Sequence, residues 1–270
     1  MKARFVDAHC HVQFEQYAHD EAEIVEQMRK DGVVGIVVGV GLDSSEKALA
    51  LAEKYDHLFA SVGLHPNHAE EPFDVEAFHR LASNPRVVAI GECGLDFFRP
   101  AEVTDDVKDR QMELLRKHIE LAALVDKPLI IHARPSKGTQ DAYHDLIAIL
   151  REAKAKHPAL RGDIHFFVGG ISEAEELIEL GFTVSFTAVI TFARDYDNVL
   201  RAVPLGSILS ETDAPYVAPA SRRGQRNDPL AVQDVVAHIA SIRGEDPEVV
   251  RTALLESALR MFTLPGIDKG

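Results

Sequence analysis

Cysteine is scarce in this chain of 270 residues: Cys10 and Cys93 are the two present, too few to imply a disulfide framework. No apolar run approaches the roughly 18 residues that a membrane span needs. The opening stretch MKARFVDAHCH lacks the apolar centre of a signal peptide, so a reduced, cytoplasmic protein with no membrane association is expected. Positive charge is also short. Lys and Arg number 29 against 43 Asp and Glu, a formal charge of -14. A protein that coats long nucleic acid through a basic stripe needs many phosphate contacts, and this balance disfavours that class. A metal-assisted enzyme acting at a phosphate end is still compatible with it. Low-complexity segments and long linkers are missing too. One domain over residues 1–270 is expected, with no obligate protein partner.

What the chain does have is a composition 46% hydrophobic and 27% charged, ordinary for a globular protein. Short Val-, Ile- and Phe-rich runs recur: RFVDAHCH, GIVVGVG, LFASVGLHP, VVAIGECGLDF, PLIIHAR, GDIHFFVGG, FTVSFTAVI and SILSETDAP. Each is followed by Gly, Pro or polar residues and is expected to be a strand. Between them lie DEAEIVEQMRK, SSEKALALAEKY, DRQMELLRKHIELAALV, DAYHDLIAILREAKAK and SEAEELIEL, with apolar residues at helical spacing. Asp43, Ser44 and Ser45 are placed before one helix, and Ser172 with Glu175 is taken as a capping box. The last two segments, DPLAVQDVVAHIASIRG and DPEVVRTALLESALRMF, are expected to be helices. Apolar strands joined by helical crossovers imply a parallel sheet covered on its faces. Eight such units predict an α/β fold, a single-domain (β/α)8 TIM barrel, with a doubly wound open sheet as the alternative.

A barrel carries its active site at the C-terminal ends of its strands. Those ends supply His9 and His11, then His65, Glu92, His132, His165 and Asp213. Residues i and i+2 of a strand share a face, so His9 and His11 are expected to project together. In a chain with 13 histidines one His-x-His pair could arise by chance. Histidines and carboxylates ending most strands of one barrel are harder to explain except as a metal centre, because such groups are costly to bury unpaired. These ligands exceed the needs of one catalytic ion, which keeps three protein ligands and an open position. Two ions are therefore expected, with Glu92 the candidate bridge and water between them as the nucleophile. Zn, Mn, Mg, Ni and Co all suit such a ligand set. His19, His57, His68, His79, His118, His144 and His238 are expected to be solvated, and His157 to end a helix. Cys10 and Cys93 alternate with ligands and are expected to face the helices.

The motifs DAHCH, GECGLDF, IIHARP, HFF, ETDAP and RRGQRNDP stand in the order of the TatD family of metal-dependent hydrolases, and the chain resembles that family from residue 5 to about residue 262. The resemblance implies a barrel with a metal centre at the strand ends and divalent-metal-dependent deoxyribonuclease activity, 3'→5' exonucleolytic in some members. It implies His9, His11, Glu92 and Asp213 as ligands of one ion, and Glu92, His132 and His165 as ligands of a second. It also implies a place for His65 close to substrate. Two segments depart from the family pattern: HFFVGG carries Phe166 and Val168, and VQF follows His11. Among basic residues, Arg134 shares the face of His132 if its strand continues, and Arg223 lies in a glycine-containing loop after the last strand. Both suit phosphate binding, whereas Arg222 and Arg226 are expected to sit in a solvated turn. The expected activity is hydrolysis of a phosphodiester at a DNA end, with Asp213 and Glu92 as the catalytic carboxylates. The alternatives are an amide, lactone or ester hydrolase, including one acting on D-aminoacyl-tRNA, and a metal-binding scaffold without catalysis.

Overall fold

Parallel pairing runs unbroken through eight strands in chain order: β1 (Phe5–Cys10), β2 (Val33–Val38), β3 (Leu58–Val62), β4 (Val87–Asp96), β5 (Leu129–Arg134), β6 (Gly162–His165), β7 (Phe182–Phe186) and β8 (Ile208–Ser210). These come from a computed structural model, which describes residues 2–100 and 102–269. Seven of the eight strand-like runs contain their strand whole; GIVVGVG starts two residues late, since its strand begins at Val33. The last closes on the first beyond its own end: Cys10 bridges Ala214, His11 N–H donates to Ala214 O at 2.8 Å, and Asp213 N–H donates to His9 O at 2.9 Å. The result is a (β/α)8 barrel rather than an open sheet.

The described α-helices are α1 (Glu21–Asp31), α2 (Leu42–Lys54), α3 (Val75–Ala82), α4 (Asp105–Val125), α5 (Asp141–Lys156), α6 (Ile171–Glu179), α7 (Asp197–Ala202), α8 (Val232–Arg243) and α9 (Pro247–Met261). The short α3 and α7 lack a long apolar stripe and were not expected. Both anticipated caps shift. Asp43, Ser44 and Ser45 lie inside the first turn of α2, where Ser44 Oγ accepts from Gly41 N–H at 3.0 Å. Helix α6 starts at Ile171, so the capping glutamate is Glu173, which accepts from Gly170 N–H at 2.9 Å, and not Glu175. No described helix is long and apolar enough to cross a membrane.

Two apolar clusters divide the core. One joins the outward faces of the strands to the helices, including Val250 and Leu254 of α9, and holds both cysteines. The other gathers Val6, Ala8, Val34, Ile36, Val38, Phe59, Val88, Ile130 and Leu209 with Leu255, Ala258, Met261 and Phe262 of the last helix and its exit. Its strand members come from six strands around the sheet, so it fills the barrel interior and floor. Strands Lys2–Ala3 and Asp268–Lys269 pair beside it.

Irregular register decides which residues reach the open end. In β1, Asp7 pairs with Gly35 and Cys10 with Val37, so one strand spends three steps where its partner spends two. That extra residue is a bulge, which re-aims every later side chain. It leaves Val6 and Ala8 inside yet turns His9 and His11 inside as well, with Cys10 out. A second shift between Ile90 and Cys93 does the same for Glu92 on β4. Glycine is required beside it: a Cβ on Gly94 (φ +135°) would lie 1.9 Å from His132 O, and one on Gly91 (φ +149°) 2.3 Å from Ile130 O.

Candidate metal centre and active site

Glu92 sits at the middle of the open end, 3% exposed, with its two oxygens facing different groups. Oε2 lies 3.4 Å from His9 Nε2 and 4.0 Å from His11 Nε2. Oε1 lies 3.1 Å from His132 Nδ1, 3.3 Å from His65 Nε2 and 3.8 Å from His165 Nε2. Asp213 Oδ1 joins the first group, 3.5 Å from His11 Nε2 and 3.9 Å from His9 Nε2. The closing seam of the barrel thus supplies His9, His11 and Asp213 to one side of Glu92, and β5 and β6 supply His132 and His165 to the other. Asp213 holds φ +52° and Phe166 φ +47°, left-handed conformations uncommon for non-glycine residues.

Hydrogen bonds behind the rings fix which nitrogen faces the centre. His11 Nδ1–H donates to Val38 O at 2.8 Å, leaving the Nε2 lone pair inward. His165 Nδ1–H meets both oxygens of buried Glu211 at 3.0 Å. His132 Nε2–H meets Asp96 Oδ2 at 3.2 Å, which turns Nδ1 toward Glu92. A carboxylate or carbonyl behind a ligating imidazole orients the ring and raises its basicity. His65 is different. Its Nδ1 accepts from Asn67 N–H at 3.1 Å, so Nε2 carries the proton and donates to Glu92. Although His65, Glu92 and His132 lie close enough to share an ion, this tautomer makes His65 a hydrogen-bond donor rather than a ligand. His9 Nε2 and His11 Nε2 face one another at 3.1 Å, a repulsive arrangement for two lone pairs unless a cation or proton lies between them. The set therefore fits divalent metal ions.

Electrostatics follow from burial. Desolvation alone would raise the Glu92 carboxyl, but His65, His9 and His132 outweigh it and hold it well below the usual range. Asp213 is likewise lowered against its own burial, chiefly by His11. Asp96 is held low by His132 and by the Phe98 and Arg99 N–H groups. Beneath this layer, burial first and then Glu211 push Asp163 up to about 7, while Ser185 Oγ lies 2.6 Å from Asp163 and 2.9 Å from Glu211.

All six expected ligands converge, and His65 and Arg134 line the same cavity of about 540 Å³. Arg223 does not; it lies over the Phe192 ring at 3.9 Å, outside the cavity wall. Arg222 and Arg226 are not free in solvent but pair with Asp228 and Asp20. Both departures from the family pattern reach the cavity: Phe166 and Val168 line it, and Phe14 stacks on His11 at 4.5 Å. Asp96 and Glu211 were missed, although each stands in a motif already singled out. Asp96 shares the alternation of Glu92, and Glu211 interrupts an apolar run. His57 and His118 are buried, correcting the expectation of solvated rings: His57 Nε2 bonds Val25 O, and His118 bonds Leu114 O and Leu64 N–H. Cys10 and Cys93 face the helices, bonded to Ile36 O and Ile130 O.

A closed parallel barrel with histidines and carboxylates gathered at its strand ends fits the class of metal-dependent hydrolases. Within that class the model of the TatD related DNase family matches residues 6–263, and the chain belongs to that family. It is 34% identical to the uncharacterized metal-dependent hydrolase YcfH of Escherichia coli, over 95% of each chain. It is 32% identical to the 3'-5' ssDNA/RNA exonuclease TatD of Klebsiella pneumoniae, over 94% of each. The crystal structure of the TatD homologue YjjV from Escherichia coli superposes with a TM-score of 0.87 at 32% identity, covering 98% of this chain and 100% of that one.

Proposed function

We propose that this protein is a two-metal phosphodiesterase that removes nucleotides from the 3' end of single-stranded DNA. The observation that carries the reading is the division of Glu92: one oxygen faces His9 and His11, the other His132 and His165. His9, His11, Glu92 and Asp213 would hold one ion and Glu92, His132 and His165 the other. Divalent ions there supply Lewis-acid polarisation of a phosphoryl oxygen and acidify water. The remaining work belongs to the side chains. Asp213, kept ionised by its imidazole neighbours, is placed to orient the attacking water and take its proton. His65 Nε2–H can pass from Glu92 to a phosphoryl oxygen. Arg134 on the cavity wall supplies a guanidinium to phosphate. Phe166 and Val168 form an apolar stretch of that wall and limit the water beside the reacting group.

A chain of net charge -14 is suited to one or two phosphates at an end rather than to a long duplex track. The slope of log binding constant against log salt is expected to be roughly -1 to -2. The deciding assay uses metal-reconstituted enzyme on 3'-labelled single-stranded DNA, duplex, RNA, a closed single-stranded circle and a panel of carboxylic esters. Mononucleotide should leave the labelled end first and the circle should survive. Turnover of esters with none of any oligonucleotide would replace this reading with a carboxylic ester hydrolase.

A further inference from the structure

Large aromatic side chains are exposed at three described positions, Phe98, Phe192 and Tyr216, and all three stand on loops that follow barrel strands at the catalytic end. Two of them carry a guanidinium on the ring. Arg134 Cζ lies 4.1 Å from the Phe98 centroid, and Arg223 Cζ lies 3.9 Å from that of Phe192. The first pair follows β4 and ends β5; the second follows β7 and β8. They occupy separate sectors of the rim, with β6 between them. A bond from Ala220 N–H to Thr191 Oγ1, 2.8 Å, ties the two loops that carry the outer pair. Among the described residues neither arginine has a carboxylate partner, although acidic residues outnumber basic ones 43 to 29 and nearby Arg222 and Arg226 are both paired.

Resting on the nuclease reading above, we propose that Phe98 with Arg134 and Phe192 with Arg223 are two nucleotide subsites that grip unpaired bases flanking the scissile phosphodiester. An exposed ring with a guanidinium beside it offers what a single-stranded nucleotide needs: a flat face for the base and a fork of donors for its phosphate. Such stacking tolerates any base but requires that the base be unpaired, so the rim selects single strands and frayed ends over closed duplex. It also gives a use to exposed aromatics that a solvated rim does not need.

The test is a cycle that pairs each ring with the base it would hold. Phe98→Ala and Phe192→Ala are assayed against 3'-labelled tetranucleotides in which one nucleotide at a time is abasic, using the metal-reconstituted enzyme. Metal content and melting temperature serve as the folding controls. Each substitution should raise KM by about 5- to 100-fold on intact substrate, with kcat changed by less than about threefold. At one particular position an abasic nucleotide should cost the wild type the same factor and cost the variant nothing further, and Phe98→Trp should restore KM. Costs that multiply independently at every position would overturn the subsites while leaving the nuclease reading intact. Wild-type enzyme that is metal-loaded yet cleaves no oligonucleotide would overturn both.

Discussion

The two ends of the barrel interior use opposite chemistry on the same strands. At the floor, Val6, Ile36, Phe59 and Leu209 meet Leu255 and Met261, an apolar plug. At the rim, toward the other ends of the strands, His9 and His11 each lie within about 4 Å of both Glu92 and Asp213. Between them lies a buried polar layer in which Asp7 pairs with Thr212 and Asp163 with Thr183 and Ser185. The floor gains stability by removing apolar area from water. The rim keeps unlike groups together at an energetic cost that a bound metal ion would offset. Substitutions at the floor should therefore change stability, and substitutions at the rim should change metal binding and turnover.

The largest expected effect separates the ends by activity. Glu92→Ala removes the only carboxylate that faces both histidine groups in the described structure, so turnover should fall by more than ~10³-fold. Metal analysis should show a greater loss than in His165→Ala, which faces one group. Full occupancy in Glu92→Ala would remove the bridge. The converse experiment is Phe59→Ala at the floor, where a fully buried ring with Arg86 over its face is lost. A cost of about 3–5 kcal/mol is expected in urea unfolding, with metal stoichiometry kept in the folded fraction. Loss of metal at unchanged stability would show that the two ends are not separable.

His118 sharpens the comparison from outside the barrel. It sits on α4, and its Nε2 holds Leu64 N–H, next to His65, while its Nδ1–H holds Leu114 O. Burial lowers its pKa from 6.5 to about 4, so the native state keeps the neutral ring. Between these values the unfolded chain binds the additional proton, so the contribution is complete above pH 6.5 and is lost as pH falls through about 4. The full term is roughly 3 kcal/mol. Metal-free unfolding at neutral and acidic pH should show the gap between wild type and His118→Gln closing as pH falls; a constant gap would contradict the neutral tether. A smaller effect is expected at Glu211→Gln, which weakens the partner behind His165 but keeps its shape. Metal affinity should drop by about 10- to 100-fold, with little change in metal-free melting. An unchanged affinity would make Glu211 a packing residue.

Much of this was legible in the sequence because each proposed ligand stands at the end of an apolar run, where strand order and polarity coincide. His9, His11, Glu92, His132, His165 and Asp213 could be placed at one rim without coordinates for that reason. The bulges in β1 and β4 could not be seen, since an extra residue leaves no mark on composition. The partners behind the proposed ligands were hidden differently. Asp96 and Glu211 adjoin assigned residues and resemble spare carboxylates until the ring they hold is located. His118 had a visible signal: Leu114, Leu115, Ile119 and Ala122 form an apolar stripe, and His118 falls within it. A histidine at a core position of an amphipathic helix is expected to be buried and bonded. The caps at α2 and α6 moved because glycine, with no side chain, served as the N-cap in both.

The smallest expected effect tests the bulge itself. Cys10 stands between two proposed ligands, His9 in β1 and His11 just past it, and Cys93 follows Glu92 directly, so each thiol is one residue from a side chain of the proposed centre. Both are fully buried among helix-facing apolar residues, and burial raises both thiols, which disfavours the thiolate a metal would need. If the strand is in the observed register, Cys10→Ala and Cys93→Ala remove one sulfur from the outer core, at a cost of about 1 kcal/mol, and leave metal content and turnover as they were. A one-residue slip would reverse every side chain after the bulge, turning a thiol into the centre and a histidine into the helices. Loss of one metal equivalent in Cys10→Ala, with stability unchanged, would therefore show that β1 runs in the other register and that the rim is built from different residues.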